Sequence, residues 1–172
     1  MKVLVVGGTG ALGGHCAVHL AAKGHEVTIG ARKSADSATP MAQMPFLQGD
    51  YVAGDYTSDR LAGFDWVVFA AGNDPRHVPA DADFAEFLIR ANHEAVPSFF
   101  AACREAGVKR AVQLGSYYHQ AAPHLLEGNG YIRSRKAACE GARAEGRAGF
   151  EAVSVNAPFM VGSVAGLPSA IF

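Results

Sequence analysis

Residues 2–14, with the sequence KVLVVGGTGALGG, decide the fold of this chain. Lys2–Val6 is an almost continuous β-branched run, which is typical of a parallel strand that is buried on both faces. Three glycines follow within four residues. Apolar side chains then recur at helical spacing until Gly24 provides a helix stop, at Leu12, Cys16, Ala17, Leu20 and Ala21. The order strand, glycine turn, helix predicts a backbone cradle for a phosphate group.

The glycine turn fits two spacings at once. Gly8, Gly10 and Gly13 fit G-x-G-x-x-G, whereas Gly7, Gly10 and Gly13 fit G-x-x-G-x-x-G. Glycines permit the positive φ of a tight turn, let a pyrophosphate approach the backbone and let the helix pack closely on the strand. A glycine motif alone is weak, but its place between an apolar strand and an amphipathic helix makes it specific. The alternative is a glycine-rich turn that holds no ligand.

Strands and helices alternate along the rest of the chain. Further strands are predicted at residues 26–30, 66–70, 108–114 and 153–156, and a short one at either 46–48 or 51–54. A long helix spans residues 84–102 with a kink at Pro97, and an Ala- and Gly-rich helix spans residues 131–147. Residues 31–45 are predicted as a loop. This pattern predicts an α/β Rossmann fold, with a doubly wound, mostly parallel sheet and helices on both faces.

Composition excludes several classes of protein. The 172 residues carry a net charge of −1, which favours neither nucleic acid nor an anionic membrane as a partner. No apolar run reaches the roughly 20 residues that span a bilayer, and the first residues do not resemble a signal peptide. The three cysteines lie in helical patterns and the seven histidines have no ligand spacing, so neither disulfides nor a metal site are expected. We expect a cytoplasmic protein with one dinucleotide-binding domain over residues 1–172.

The end of the second strand bears on the choice of cofactor. An NAD site places an acidic residue there, about 20 residues after the glycines, to bind the 2′-hydroxyl of the adenosine ribose. Here the strand leads into Arg32 and Lys33, while Glu26 comes too early and Asp36 too late. Two cations suit the 2′-phosphate of NADP, because Arg binds phosphate in a bidentate manner. NADP is therefore the predicted cofactor, with NAD possible, and the alternative is a pair of solvated loop cations.

The order of these motifs resembles the extended and atypical short-chain dehydrogenases, a family of NAD-dependent epimerase/dehydratase-like and NmrA-like proteins. The resemblance runs from residue 1 to about residue 162. It implies that Asp55 in GDYT contacts the adenine, with Asp50 in the similar GDY as the alternative. It also relates Asn92 to an asparagine common in the family's next helix. The other residues that it implies for cofactor binding are Gly7, Thr9, Gly10, Ala11, Leu12, Gly13, Ala70, Ala71, Gly72 and, in NAPFMVG, Pro158.

The same resemblance implies a catalytic set. In this family a tyrosine exchanges a proton with the substrate oxygen, a serine orients that oxygen, and a lysine four residues after the tyrosine stabilises the phenolate. YIRSRK supplies Tyr131, and LGS supplies Ser116, but Arg135 stands where the lysine is expected and Lys136 comes one residue later. Arg135 stays protonated, so it offers a charge but no proton relay. The alternative is that Tyr131 and Arg135 are ordinary helix residues.

Three functions remain open from the sequence. The first is an NADP(H)-dependent oxidoreductase or epimerase that acts on a small-molecule carbonyl or alcohol. The second is a non-catalytic NADP(H)-binding redox sensor of NmrA type, and the third is a remnant with an empty glycine turn. The family's C-terminal substrate domain is expected to be absent or truncated. A homodimer through the two long helices is also expected, because Phe84, Phe87, Phe99 and Phe100 exceed what one helix face needs.

Overall fold

In the computed structural model, which describes residues 1–158, 160–167 and 170–171, six parallel strands form one sheet. The strands are β1 (Lys2–Val6), β2 (Glu26–Ala31), β3 (Phe46–Gln48), β4 (Trp66–Phe69), β5 (Arg110–Ser116) and β6 (Glu151–Ala157). Their order across the sheet is β3-β2-β1-β4-β5-β6, and every pair is parallel. This is the order of a doubly wound Rossmann sheet, so the predicted fold is confirmed. A short antiparallel pair, β7 (Val161–Gly162) and β8 (Ala170–Ile171), follows the sheet.

Helices cover both faces of the sheet. They are α1 (Ala11–Ala22), α2 (Ser58–Leu61), α3 (Phe84–Leu88), α4 (Ala95–Glu105), α5 (Tyr118–Ala121) and α6 (Gly130–Ala144). Alternate strand residues face opposite sides: Leu4 and Val6 pack with α4 and α6, whereas Val3 and Val5 pack with α1. Within the described part of the chain, every helix is too short or too polar to cross a membrane.

The sequence predicts one long helix over residues 84–102 with a kink at Pro97, and this prediction is wrong. A π-helical segment, Ile89–Glu94, separates α3 from α4, and Pro97 is the third residue of α4. In a regular α-helix the ring of a proline meets the carbonyl group four residues earlier. The wider π turn relieves that clash, and it places Asn92 in the interior of the protein.

The alternatives for the third strand resolve in favour of Phe46–Gln48. Residues 51–54 form a turn, in which Gly54 has φ of 79° and its N–H donates to the carbonyl oxygen of Tyr51. The strand predicted at 108–114 begins at Arg110, because the N–H of Val108 is used to close the end of α4 on Cys103. The other predicted strands are right to within two residues at each end, and the last helix ends three residues earlier than predicted, at Ala144.

Aromatic rings fill the core between the sheet and α4. The ring of Phe69 lies 5.0 Å from that of Phe99 and 6.1 Å from that of Phe100. Phe99 and Phe100 are both buried inside the chain, so the core of a single protomer uses these two rings. Phe84, which is 45% exposed, remains on the surface. Self-association through the two long helices stays a prediction.

Phe100→Ala should lower the free energy of unfolding by roughly 3–5 kcal/mol, because it leaves a cavity beneath the sheet. Phe84→Ala is the matched control and should cost about 0.5 kcal/mol or less, because Phe84 lies at the surface and outside the core cluster. Urea denaturation followed by circular dichroism measures both. A similar loss for the two variants would contradict this description of the core.

Candidate functional site

A cleft of about 810 Å³ opens along the carboxyl ends of the strands. Its walls include the residues that end or follow β1, β2, β4, β5 and β6, namely Val6, Ala31, Ala70, Ser116 and Ala157. The strand order reverses between β1 and β4, so the crossovers that leave these two strands diverge to opposite faces of the sheet. Ligands of doubly wound folds bind in the crevice that forms at this point.

The glycine turn forms the floor of the cleft, and contacts within the protein itself require Gly7 and Gly13, as they do the neighbouring Gly8. Gly7 has φ of 82°, and a Cβ atom there would lie 2.6 Å from the backbone nitrogen of Ala71. A Cβ atom at Gly13 would overlap the carbonyl oxygen of Gly7. These two glycines let the first turn of α1 lie directly against the end of β1 and beside the residues that follow β4.

Gly10 differs, because neither its backbone nor its neighbours require a glycine. Its φ of −89° is open to any residue, and the nearest atom to a Cβ atom built there is the Gly7 oxygen at 3.5 Å. A side chain at Gly10 would therefore occupy only the space of the cleft. At the start of α1 the structure gives no side-chain cap and no acidic residue in the first turn. The open space and the uncapped N–H groups fit a pyrophosphate.

Arg32 and Lys33 line the cleft at the end of β2, as the sequence predicts for the adenosine side. Neither side chain forms an ion pair with any residue that the structure describes. Asp36 is absent from the cleft wall, and its carboxylate accepts a hydrogen bond from the N–H of Ala38 at 2.9 Å. Both cations are thus available to an anionic group.

Asp50 lies in the wall of the cleft, and Asp55 does not. The carboxylate of Asp55 instead accepts a hydrogen bond from the N–H of Asp50 at 2.8 Å. The carboxylate of Asp50 accepts from the N–H of Val52 at 2.9 Å. Asp55 therefore supports the turn that carries Asp50, and the residue that the sequence left as the alternative is the one that faces the cleft.

Ser116, Tyr131 and Arg135 line the cleft together, but Lys136 does not. The ammonium of Lys136 lies 3.8 Å from the Glu140 carboxylate on the surface of α6. The guanidinium of Arg135 lies 6.0 Å from the centre of the Tyr131 ring. Of the two candidate cations, Arg135 is thus the one beside the tyrosine.

The Arg135 side chain lies between β5 and the residues that follow β4. Its Nη2 donates to the carbonyl oxygen of Leu114 at 3.2 Å. A Cβ atom at Gly72 would lie 3.0 Å from Nη1, so the missing side chain there leaves room for the guanidinium. Its Nε is buried and has no hydrogen-bond partner among the described residues. The guanidinium therefore keeps hydrogen-bond donors that no described residue uses.

A network of buried hydrogen bonds fixes the start of α6, and two of its members, Asn73 and Ser134, were not predicted from the sequence. The Asn92 amide donates at 3.1 Å both to the Asn73 carbonyl oxygen and to Ser134 Oγ. Ser134 Oγ in turn donates to the carbonyl oxygen of Tyr131 at 2.8 Å. The serine of the Y-x-x-S pattern was the available signal for Ser134, whereas Asn73 follows the predicted small-residue turn without a motif of its own. This hydrogen-bond network connects the turn that bears Tyr131 to the residues after β4.

The remaining predicted residues also lie in the cleft wall, and these are Thr9, Ala11, Leu12, Ala71 and Pro158. Phe159, in the predicted NAPFMVG turn, lies outside the described residues. Asp74 and Arg76 line the cleft without having been predicted, and hydrogen bonds from the Arg76 side chain hold the pKa of Asp74 below its usual value. No group of three His, Cys, Asp or Glu side chains within the described ranges is placed to hold a metal ion.

The fold and the glycine turn define a Rossmann-type α/β domain, a class of fold that typically binds dinucleotides. The model of the NAD dependent epimerase/dehydratase family matches residues 3–165, so the chain belongs to that family. The resemblance found in the sequence is thereby confirmed. A search of proteins with curated functions gave no match.

Solved structures share this fold. MoeE5, in complex with UDP-glucose and NAD, is 25% identical with a TM-score of 0.69 over 90% of this chain and 52% of its own. A short-chain dehydrogenase/reductase superfamily protein from Agrobacterium tumefaciens, with bound NAD, is 22% identical with a TM-score of 0.72 over 91% and 48%. A carbonyl reductase from Pseudomonas aeruginosa PAO1 is 20% identical with a TM-score of 0.65 over 83% and 74%. The chain spans about half the length of the first two.

Gly10→Val should weaken the binding of NADPH and NADH by about tenfold or more, because the new side chain fills space that a pyrophosphate needs. Gly128→Val is the matched control. That glycine lies outside the cleft, and a Cβ atom there would have no neighbour within 4 Å. Fluorescence titration measures the affinities, and circular dichroism checks that both variants fold. Unchanged affinity in a folded Gly10→Val protein would contradict the placement of the phosphates on this turn.

Proposed function

We propose that this protein binds NADP(H) in the cleft and transfers hydride at a carbonyl or alcohol carbon of a small molecule, as an oxidoreductase or an epimerase-like enzyme. The observation that carries the proposal is the set of residues that line a single cleft. The glycine turn and two unpaired cations line it, and Ser116, Tyr131 and Arg135 line the same cleft. Membership of the NAD dependent epimerase/dehydratase family supports the same reaction class.

The preference for NADP rests on the end of β2. Arg32 and Lys33 are exposed there, have no carboxylate partner among the described residues, and line the cleft. A ribose 2′-phosphate offers such cations an acceptor, whereas a 2′-hydroxyl would require an acidic residue at the same place. NAD, which is bound in the MoeE5 and Agrobacterium tumefaciens structures, is the alternative cofactor.

A bound nicotinamide would supply the chemistry of hydride transfer. Tyr131 is the proposed acid–base, because its phenol can exchange a proton with the substrate oxygen. Ser116, which ends β5 at the cleft, is the proposed hydrogen-bond donor to that oxygen. Arg135 contributes a permanent positive charge beside the Tyr131 ring. Arg135 does not release its proton, so proton exchange with water must pass through Tyr131 or the solvent in the cleft.

A second function, a redox sensor that binds NADP(H) without turnover, is favoured by one specific observation. The lysine available in this segment, Lys136, pairs with Glu140 outside the cleft. Tyr131 therefore has no lysine beside it that could act as the proton relay of the family's catalytic set. Consumption of NADPH with a panel of aldehydes and ketones distinguishes the two functions, because the sensor would bind NADPH and consume none.

Arg32→Ala should weaken NADPH binding by roughly ten- to a hundredfold and leave NADH binding nearly unchanged, because only NADPH carries a phosphate for the guanidinium. Raising the salt concentration should likewise weaken NADPH binding more than NADH binding. Lys23→Ala, which removes an exposed cation at the end of α1, is the control and should change neither affinity. Equal losses for both cofactors, or a wild-type preference for NADH, would overturn the assignment of NADP.

Tyr131→Phe should lower kcat for NADPH oxidation about 10²- to 10⁴-fold while NADPH affinity is retained, because the variant lacks only the proton-exchanging group. Tyr117→Phe is the matched control, since Tyr117 lies near the site but outside the cleft wall, and its kcat should stay within about twofold of wild type. Stopped-flow absorbance at the nicotinamide band gives the rates. If turnover survives in Tyr131→Phe at the wild-type rate, this tyrosine is not the acid–base.

A further inference from the structure

Two tyrosines in the segment after β3, Tyr51 and Tyr56, are buried and line the cleft. They share an environment but differ in how their hydroxyl groups are used. Burial raises the pKa of each to about 12, so both are neutral hydrogen-bond donors near neutral pH. A phenol has a single hydrogen to donate, and the partner that takes it determines what else the residue can bind.

The hydroxyl of Tyr56 is committed to the protein. It donates to the carbonyl oxygen of Gly49 at 3.2 Å, and the ring packs edge-on against Phe99 with 5.6 Å between the centres. A Cβ atom at Gly30 would lie 2.9 Å from this oxygen, so β2 passes directly over it. Tyr56 therefore fixes the loop after β3 to the sheet and has no hydrogen left for a ligand.

The hydroxyl of Tyr51 is used in the opposite sense. Its oxygen accepts a hydrogen bond from the Asn73 side chain at 2.7 Å, and its ring packs edge-on against Phe69 at 5.0 Å. Asn73 is itself held in place, because its backbone oxygen accepts from Asn92. No described residue accepts the hydrogen of the Tyr51 hydroxyl. A buried donor without a partner is costly, so this hydrogen requires an acceptor from the cleft.

We propose that Tyr51 is a further cofactor-positioning residue, whose hydroxyl donates a hydrogen bond to the adenosine half of the bound dinucleotide. Tyr51 follows Asp50 on the loop after β3, and β3 pairs with β2, the strand that carries Arg32 and Lys33. From that loop the side chain reaches toward β4, because its hydroxyl meets Asn73 and its ring packs on Phe69. Adenine nitrogens and ribose oxygens are the acceptors available there. The assignment rests on the proposed function only for the presence of a dinucleotide.

Tyr51→Phe tests this assignment, and Tyr56→Phe is its matched control. NADPH, NADH and ADP-ribose are titrated into each protein by calorimetry, with thermal unfolding measured in parallel. Tyr51→Phe should weaken all three ligands by about two- to tenfold, because each contains the adenosine half and loses one hydrogen bond. Tyr56→Phe should lower the Tm but keep the three affinities within about twofold of wild type, because its hydroxyl bonds to Gly49 rather than to a ligand.

The pattern across ligands separates this assignment from the proposed function. Wild-type affinity for all three ligands in Tyr51→Phe would overturn the role of Tyr51 and leave the proposed function standing. A loss confined to NADPH would also overturn it, because the contact would then be to the 2′-phosphate. An equal loss of affinity in Tyr56→Phe would make the effect one of loop stability and would overturn it too. If the wild-type protein binds none of the three ligands, both the proposed function and the role of Tyr51 fail.

Discussion

The close approach of Gly13 to the carbonyl oxygen of Gly7 is the contact on which the rest of the site depends. It seats the first turn of α1 on the end of β1, so the free N–H groups of the helix face the carboxyl edge of the sheet. Gly7 in turn approaches the backbone nitrogen of Ala71, which brings the residues after β4 to the same turn. A side chain at either glycine would push apart the two crossovers between which the cleft opens. The cleft is thus a consequence of backbone packing rather than of its polar side chains.

The glycines of the cleft fall into three cases that the structure distinguishes. Gly7 and Gly13 are required by contacts within the protein. Gly10 is required by nothing in the protein, because its backbone is open to any residue and its Cβ position is uncrowded. Gly72 is a third case, since the missing side chain leaves room for the Arg135 guanidinium. Glycine at Gly10 therefore points to a ligand more directly than the motif as a whole, which packing alone would partly explain.

Local patterns predicted the fold well, because each buried strand is a short apolar run whose ends are marked by glycines or by charged residues. The glycine turn, Arg32 and Tyr131 were predicted from equally short motifs, and all of them lie in the wall of one cleft. The π-helical segment could not be predicted, because Asn92 is held there by Asn73 and Ser134, which lie 19 and 42 residues away. The choice between Asp50 and Asp55 depends on the hydrogen bond by which the Asp55 carboxylate accepts from the N–H of Asp50, and sequence spacing carries no sign of that bond.

Charge in this protein is distributed to suit an anion in the cleft although the chain as a whole is slightly negative. Of the described residues that line the cleft, four are cations, Arg32, Lys33, Arg76 and Arg135, and two are carboxylates, Asp50 and Asp74. Arg76 donates hydrogen bonds to the Asp74 carboxylate. The cations left for a ligand are therefore Arg32 and Lys33 at the end of β2 and Arg135 beside Tyr131. A concave site with low-dielectric walls concentrates the electrostatic field of these cations. Because arginine stays protonated near neutral pH, the charge that Arg135 places beside Tyr131 is a permanent feature of the cleft, whereas a lysine there could lose its charge.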